Sequence, residues 1–333
     1  MNIAPHILAH GNWLSVEQFM EIALYAPEGG YYSTHIPGIG YRGDFSTSAT
    51  LSDLPARRLV AEWRAACTAC GRTLPLLEIG GGNGDMVSAV ARALGFWGRL
   101  RAKYYMVERS AALRRLQHLV GGNFVRIYPT MEEALRHCGG RAFIFCNELP
   151  DAFPARQFVY RGGAWRELGL SVEGGRIVWR TRDTPLPASC VFARWAQEGQ
   201  VVEVAESYHR WWVSWQPLWL GGRMVTIDYG DVNETLYYRR PAGSLRGYKA
   251  HQLLQAEELP ALAGHCDITT DINFSDLMQL IDGCAGDRRQ FMTQRAFLSP
   301  LANPTKPEEA HLIAEPGAGD HFKVLIHHRF EMP

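Results

Sequence analysis

Leu76-Leu77-Glu78-Ile79-Gly80-Gly81-Gly82-Asn83-Gly84-Asp85 sets the architecture of the chain. A short apolar run carries an acid and then enters three alternate glycines at Gly80, Gly82 and Gly84. Glycines at that period let the backbone turn sharply and approach a ligand with no Cβ in the way. The segment reads as a strand running into a cofactor-binding turn.

The spacing narrows the cofactor. A dinucleotide fingerprint runs G-x-G-x-x-G, its third glycine allowing close helix packing beside a pyrophosphate. Counted from Gly80 and Gly82, that third position is Asp85, an acid where a diphosphate would lie, and Glu78 adds a second negative charge before the turn. A nicotinamide or flavin dinucleotide is therefore disfavoured. S-adenosylmethionine has no phosphate and carries a sulfonium and an ammonium group, so carboxylates around the turn suit it. The pattern Glu-x-Gly-x-Gly-x-Gly resembles motif I of class I methyltransferases.

Downstream, Met86 to Leu94 is rich in Ala and Val, the helix expected after a first strand. Residues 103–108 then read as a second strand ending in Glu108. An acid at that place can accept from both ribose hydroxyls, as in dinucleotide folds, which makes Glu108 the expected ribose ligand. Phe124 to Tyr128 makes a third strand, and the apolar run Ala142 to Cys146 a fourth, buried on both faces. It empties into Asn147-Glu148-Leu149-Pro150-Asp151-Ala152-Phe153-Pro154. Ligands bind at the carboxyl ends of such strands, so Glu148 and Asp151 are the candidate catalytic acids, with Asn147 fixing the pose; cofactor binding or helix capping is the equal alternative for the two acids.

Upstream, Trp13, Val16, Phe19, Met20, Ala23 and Leu24 fall at helical spacing with Ser15 as N-cap. Next come Gly30-Tyr31-Tyr32-Ser33 and Gly40-Tyr41-Arg42-Gly43-Asp44-Phe45-Ser46-Thr47-Ser48, too crowded with glycine, aromatic and hydroxyl residues for a regular element. Their functional reading is a lid over the cofactor, with aromatic faces that exclude water.

Toward the C-terminus, residues 157–181 alternate around Gly162-Gly163 and Gly174-Gly175, which predicts antiparallel hairpins inserted on the otherwise parallel sheet. A helix is predicted over 203–220, its tryptophans belonging to core or interface. Arg223 to Asp228 reads as a fifth strand, Phe274 to Ile281 as a helix and Phe322 to His328 as a closing strand, while 231–275 lacks clear periodicity.

The Gly-Tyr-Tyr and Gly-Asp-Phe-x-Thr-Ser segments, with Asn147 to Pro154, resemble the MidA-like, NDUFAF7-type family of S-adenosylmethionine-dependent methyltransferases. Asp228-Tyr229-Gly230, Gly243 to His251, Asp267-Ile268-Thr269, Ile272-Asn273-Phe274 and Phe322 to Leu325 follow the same family order, so the resemblance runs from about residue 10 to 328. It implies a Rossmann-like α/β fold: a seven-stranded, mostly parallel sheet with helices on both faces, an N-terminal helical lid over 1–70, and a methyltransferase domain over 71–333. Insertions on the substrate side are expected at about 155–200 and 231–275. The expected cofactor contacts are Glu78, Gly80, Gly82, Gly84, Glu108, Tyr32, Gly43, Asp44 and Thr47. The chain departs from the family at Ala49 to Pro55, at Asn273, where Asp is usual, and at Gly247, where Cys is usual.

Bulk composition bounds the remainder. At 333 residues a substantial core is available, in one large domain with additions or in two modest ones. Lys+Arg 34 balances Asp+Glu 34, which recommends neither nucleic acid nor an anionic membrane surface as partner. Seven scattered cysteines fit a reducing compartment, and Cys67-x-x-Cys70 has no second pair to make a zinc site. With no signal-like start and no apolar run of spanning length, a soluble, cytoplasmic protein is expected. The tryptophans and hairpins can equally form a homodimer surface or a monomer core.

Methyl transfer from a sulfonium requires alignment of nucleophile and methyl carbon and exclusion of water, with no metal. Two carboxylates can hold a guanidinium and localise electron density on its reacting nitrogen. The resemblance implies protein arginine methylation for the family's mitochondrial branch and, for a soluble member, a methyltransferase whose acceptor is unassigned. Small-molecule N- or O-methylation, and an assembly factor that keeps the cofactor pocket without turnover, are the competing readings; the methyl acceptor is thus a protein or a small molecule.

Overall fold

The computed structural model describes residues 1–35, 51–188 and 196–329. Seven strands follow one path through the main sheet: β1 (Leu76–Ile79), β2 (Tyr104–Val107), β3 (Val125–Tyr128), β4 (Arg141–Asn147), β5 (Gly221–Asp231), β6 (Arg288–Thr293) and β7 (Phe322–Arg329). Their order is β3-β2-β1-β4-β5-β7-β6, with β7 antiparallel to both neighbours and the others aligned. A two-residue strand, Ile272–Asn273, pairs in parallel with the end of β5, so the sheet holds eight strands where seven were expected.

The apolar runs are explained by burial on both faces. Along β4, Phe143 and Phe145 enter one core with Leu76, Met106 and Val225, under the helices Leu54–Ala69 and Asp85–Arg101. Ala142, Ile144 and Cys146 enter the other, under Met131–Cys138, Glu206–Trp215 and Phe274–Asp282. Trp212, Trp215 and Trp219 are buried in this second core. The helix begins later than the predicted 203, because Val201–Val204 is a strand. The β-branched Val-Val-Glu-Val run favours extended backbone over helix.

The hairpins exist, but they do not sit on the main sheet. Arg156–Arg161, Ala164–Glu173 and Arg176–Arg182 form a separate antiparallel sheet with Val201–Val204 and with Leu14–Ser15. β5 is already paired on both sides, so the insertion finds its own partners. Ser15 starts the helix Val16–Tyr25 with a capping box: its hydroxyl accepts from Gln18 N–H, and Gln18 reaches back to the Ser15 N–H. The stretch 231–275, aperiodic in sequence, holds the helix Asn233–Arg239 and a three-stranded sheet of Arg246–Lys249, Gln252–Gln255 and Asp267–Thr269. A third core joins Phe19, Met20, Tyr31, Leu170, Leu245 and Ile268 from these distant segments. No helix among the described residues is long and apolar enough to cross a membrane.

Candidate active site

The crossovers from β1 lead toward β2 on one side, while β4 returns on the other, which opens a crevice at the strand C-termini. A cavity of about 850 Å³ lies there, within the range of small-molecule sites. It is lined by the turn after β1, by Glu108 after β2 and by Asn147, Glu148 and Leu149 after β4. Tyr25 and Tyr32 close it from the N-terminal side.

The glycine turn is tight. Gly80, Gly82 and Gly84 all have left-handed φ values of 69°, 50° and 87°. A Cβ on Gly80 would stand 2.6 Å from Leu149 Cδ1, and one on Gly81 2.6 Å from Met106 Cε. Gly81 is thus a fourth cradle position that the alternate-glycine period did not single out. Gly84 caps the helix Asp85–Arg101 in a left-handed conformation.

Two acids face this cavity at low exposure. Glu78 accepts the Tyr104 hydroxyl at 2.5 Å, and burial pushes its carboxyl up to about 7, with the charges of Glu108 and Asp85 adding to the shift. Glu108 is also raised by burial, although it accepts the Ser110 N–H at 2.7 Å and Gln117 Nε2 at 3.3 Å. Gln117 donates to the Gly82 carbonyl as well, at 2.9 Å, and so ties the turn to Glu108. Nothing in the sequence marked Gln117, since a single glutamine inside an amphipathic helix carries no pattern.

Tyr32 stacks on Tyr25 at 5.5 Å between ring centroids and accepts the Ser110 hydroxyl on its carbonyl at 2.7 Å. This docks the N-terminal element beside Glu108. The other expected lid contacts, Gly43, Asp44 and Thr47, lie outside the described residues.

Glu148 holds φ +52°, a conformation unusual for a residue with a side chain, and its N–H donates to the Ile227 carbonyl within β5 at 2.9 Å. Asn147 Nδ2 donates to Glu148 Oε1 at 2.9 Å. Glu148 and Tyr32 also line a second cleft of about 550 Å³, together with Asp151, Tyr229, Arg246 and Asp267. Asp151 lines this cleft and not the first. The three post-β4 residues therefore divide: Asn147 and Glu148 face the first cavity, Glu148 and Asp151 the second.

Asp151 is buried within a polar cluster. Its Oδ2 accepts the Tyr229 hydroxyl and, at 2.8 Å, the Thr269 hydroxyl; its Oδ1 is buried with no hydrogen-bond partner among the described residues. Asp228 Oδ2 accepts the Asp151 N–H at 3.1 Å. Burial raises the carboxyls of both, that of Asp228 well above the usual range, with Asp151 and Glu148 adding like charge. Asp228 and Tyr229 stood in the sequence as a family-like motif, but their bond to Asp151 spans β4 and β5 and is invisible along the chain.

The departures at Asn273 and Gly247 have structural explanations. Asn273 lines neither cleft; its Oδ1 caps the helix Phe274–Asp282 by accepting the Ser275 N–H at 3.1 Å. A Cβ on Gly247 would meet Leu259 Cδ2 at 2.6 Å and the Asp267 carbonyl at 2.8 Å.

A family profile for S-adenosyl-L-methionine-dependent methyltransferases matches residues 54–292. The chain is similar to the mitochondrial protein arginine methyltransferase NDUFAF7 of Xenopus tropicalis, at 26% identity over 322 residues that cover 86% of this chain and 72% of that one. Its fold is similar to the crystal structure of a Burkholderia thailandensis protein bound to S-adenosyl-homocysteine, with TM-score 0.84 and 26% identity over 99% of this chain and 92% of that one. A native structure from the same organism gives TM-score 0.80 at 26% identity, covering 99% and 91%. The glycine cradle and the two buried acids fit a cationic aminoacyl nucleoside: a positive ligand relieves the mutual repulsion and desolvation that raise both carboxyls. The chain belongs to the S-adenosyl-L-methionine-dependent methyltransferase family, and S-adenosylmethionine is its cofactor.

Proposed function

We propose that the chain methylates a nitrogen nucleophile, with protein arginine as the acceptor, presented through the second cleft. One observation carries this: Glu148 is common to the cofactor cavity and the second cleft, so an acceptor nitrogen held by it would lie at their junction. The name of the Xenopus relative supports the choice of arginine.

The charges of the second cleft suit a cation at that junction. Its outer acids are neutralised within the protein: Asp271 by Arg246 at 2.6 Å and Arg240 at 3.2 Å, Asp231 by Lys323 at 3.0 Å and Arg239 at 3.6 Å. Asp151 instead accepts only hydroxyl donors from side chains. Bound S-adenosylmethionine supplies an electrophilic methyl group. Glu78, Gly80, Gly82, Gly84, Glu108 and Tyr32 seat it, Glu148 and Asp151 hold the acceptor N–H groups and take the released proton, and Asn147 orients Glu148.

Incubating the protein with methyl-labelled cofactor and cell lysate tests the acceptor. Label is expected in protein, as methylarginine after hydrolysis; label confined to small molecules would replace arginine with a metabolite, and no transfer with cofactor bound would mean a pocket without turnover. Gly80→Ala is expected to weaken cofactor affinity by about 10-fold or more. The new methyl must displace Leu149, and left-handed backbone costs a non-glycine residue roughly 1–2 kcal/mol. Calorimetric titration measures it, and wild-type affinity would move the cofactor away from this turn.

A further inference from the structure

The balanced net charge conceals an uneven distribution. Between Met86 and Met131 the chain carries eight Arg or Lys and one acid, Glu108, which is turned into the cofactor cavity. The same stretch exposes large apolar side chains. In the second half of the helix Asp85–Arg101, past a break at Gly95, Phe96 is 70% exposed, Trp97 71% and Leu100 66%. Leu119, near the end of the helix Ala111–Gly121, is 83% exposed. The guanidinium of Arg99 lies 5.4 Å from the centroid of the Phe124 ring, just beyond that second helix, and so ties the two helix ends into one face.

We infer that this face, Phe96, Trp97, Leu100 and Leu119 among the exposed cations Arg99 and Arg101, docks the protein on an anionic lipid bilayer. Aromatic and leucine side chains that project from a helix end insert at the boundary between headgroups and acyl chains, and flanking cations gain from the negative surface potential. Arg99 and Arg101 make no ion pair among the described residues, unlike Arg92 with Asp53 at 2.6 Å and Arg109 with Glu21 at 2.5 Å. Their charge is therefore available to an outside partner.

The occupant follows from chemistry. A second copy placed across a two-fold axis would set these cations against themselves. Phosphate and base faces of a nucleic acid give Leu100 and Leu119 no apolar partner. A protein partner would seat projecting anchors in pockets and pair the rim with acids. A bilayer needs no such pockets and accepts the whole apolar set at once.

Flotation of the full chain with liposomes tests this. One set is phosphatidylcholine alone and the other contains about one-third phosphatidylglycerol, each at low and high salt. Expected is co-flotation with the anionic vesicles, little with the neutral ones, and a marked loss at high salt as screening shortens to a few ångströms. The double variant Trp97→Ser with Leu100→Gln, which removes two apolar anchors, and the charge-reversal pair Arg99→Glu with Arg101→Glu, which removes two surface cations at roughly fivefold each, should each lower partitioning by about 20-fold or more. Calorimetric titration with S-adenosyl-homocysteine at wild-type affinity shows that each variant is folded. Failure of the wild type to float with anionic vesicles overturns the proposal, as does equal binding to neutral ones or wild-type partitioning by the folded variants. A change of oligomeric state in the variants without any lipid binding would assign the face to a protein partner instead.

Discussion

Asp151→Asn is expected to lower methyl transfer by about 100-fold or more while the dissociation constant of the cofactor stays within about twofold. Asn keeps the shape and can still accept the Tyr229 and Thr269 hydroxyls that now meet Oδ2. It cannot take a proton. General-base contributions of 10²–10⁴ are typical where a positioned carboxylate meets the reacting group. Because Asp151 lines only the second cleft, the cofactor's seat is left untouched. The pH profile supplies a second reading. Burial raises the Asp151 carboxyl, so the rate should climb with pH through a limb above the ordinary carboxylate range, and that limb should vanish in the variant. Rate and cofactor affinity falling together would place Asp151 in the architecture of the cofactor site. Glu148→Gln differs in kind: facing both spaces, it should weaken cofactor binding and turnover together.

Glu78→Gln should oppose stability and affinity to each other. In the cofactor-free protein the Glu78 carboxyl titrates at about 7, against 4.5 for an ordinary glutamate, with burial as the main cause. Its raised value means that the folded state binds the proton more tightly than the unfolded chain. The resulting stabilisation is full below pH 4.5 and is lost as pH rises through about 7. At pH 8 the wild type therefore carries an ionised, desolvated carboxylate. The neutral glutamine variant is expected to be the more stable of the two by about 2 kcal/mol, with the difference shrinking toward pH 5. Cofactor affinity should move the other way and fall about 10-fold at pH 8, because the buried negative charge that welcomes a cation is gone. Thermal denaturation and titration at both pH values measure the pair. A variant less stable than wild type at pH 8 would show that the Tyr104 hydroxyl bond outweighs the desolvation.

The part of the fold that could be read along the chain is the part built from local rules. The glycine turn, the acid after β2 and the apolar run of β4 each announce themselves within about ten residues, because parallel strands buried on two faces tolerate only one kind of side chain. β6 did not announce itself. Arg288-Arg289-Gln290-Phe291-Met292-Thr293 is an edge strand beside β7 and carries the charged residues that protect an edge, so its pattern resembles a loop. The second sheet was readable as hairpins, while its placement was not, since that depends on Leu14 finding Leu170. The acids Glu148 and Asp151 were identifiable from their place after β4. Their division between two cavities was not, because it arises from the left-handed turn at Glu148 and from hydroxyls on β5 and on the strand Asp267–Thr269.

The third core has a kinetic consequence. Phe19 and Met20, Leu170, and Leu245 with Ile268 come from segments separated by many tens of residues, and no one of them holds a core of its own. Closing such long loops costs chain entropy before any contact repays it, so this module is expected to assemble after the main sheet has brought its pieces near. It carries Tyr25 and Tyr32 on one side and Asp267 on the other, walls of both cavities. The enclosed reaction space would thus be the last feature of the molecule to mature and, when stability falls, the first to be given up.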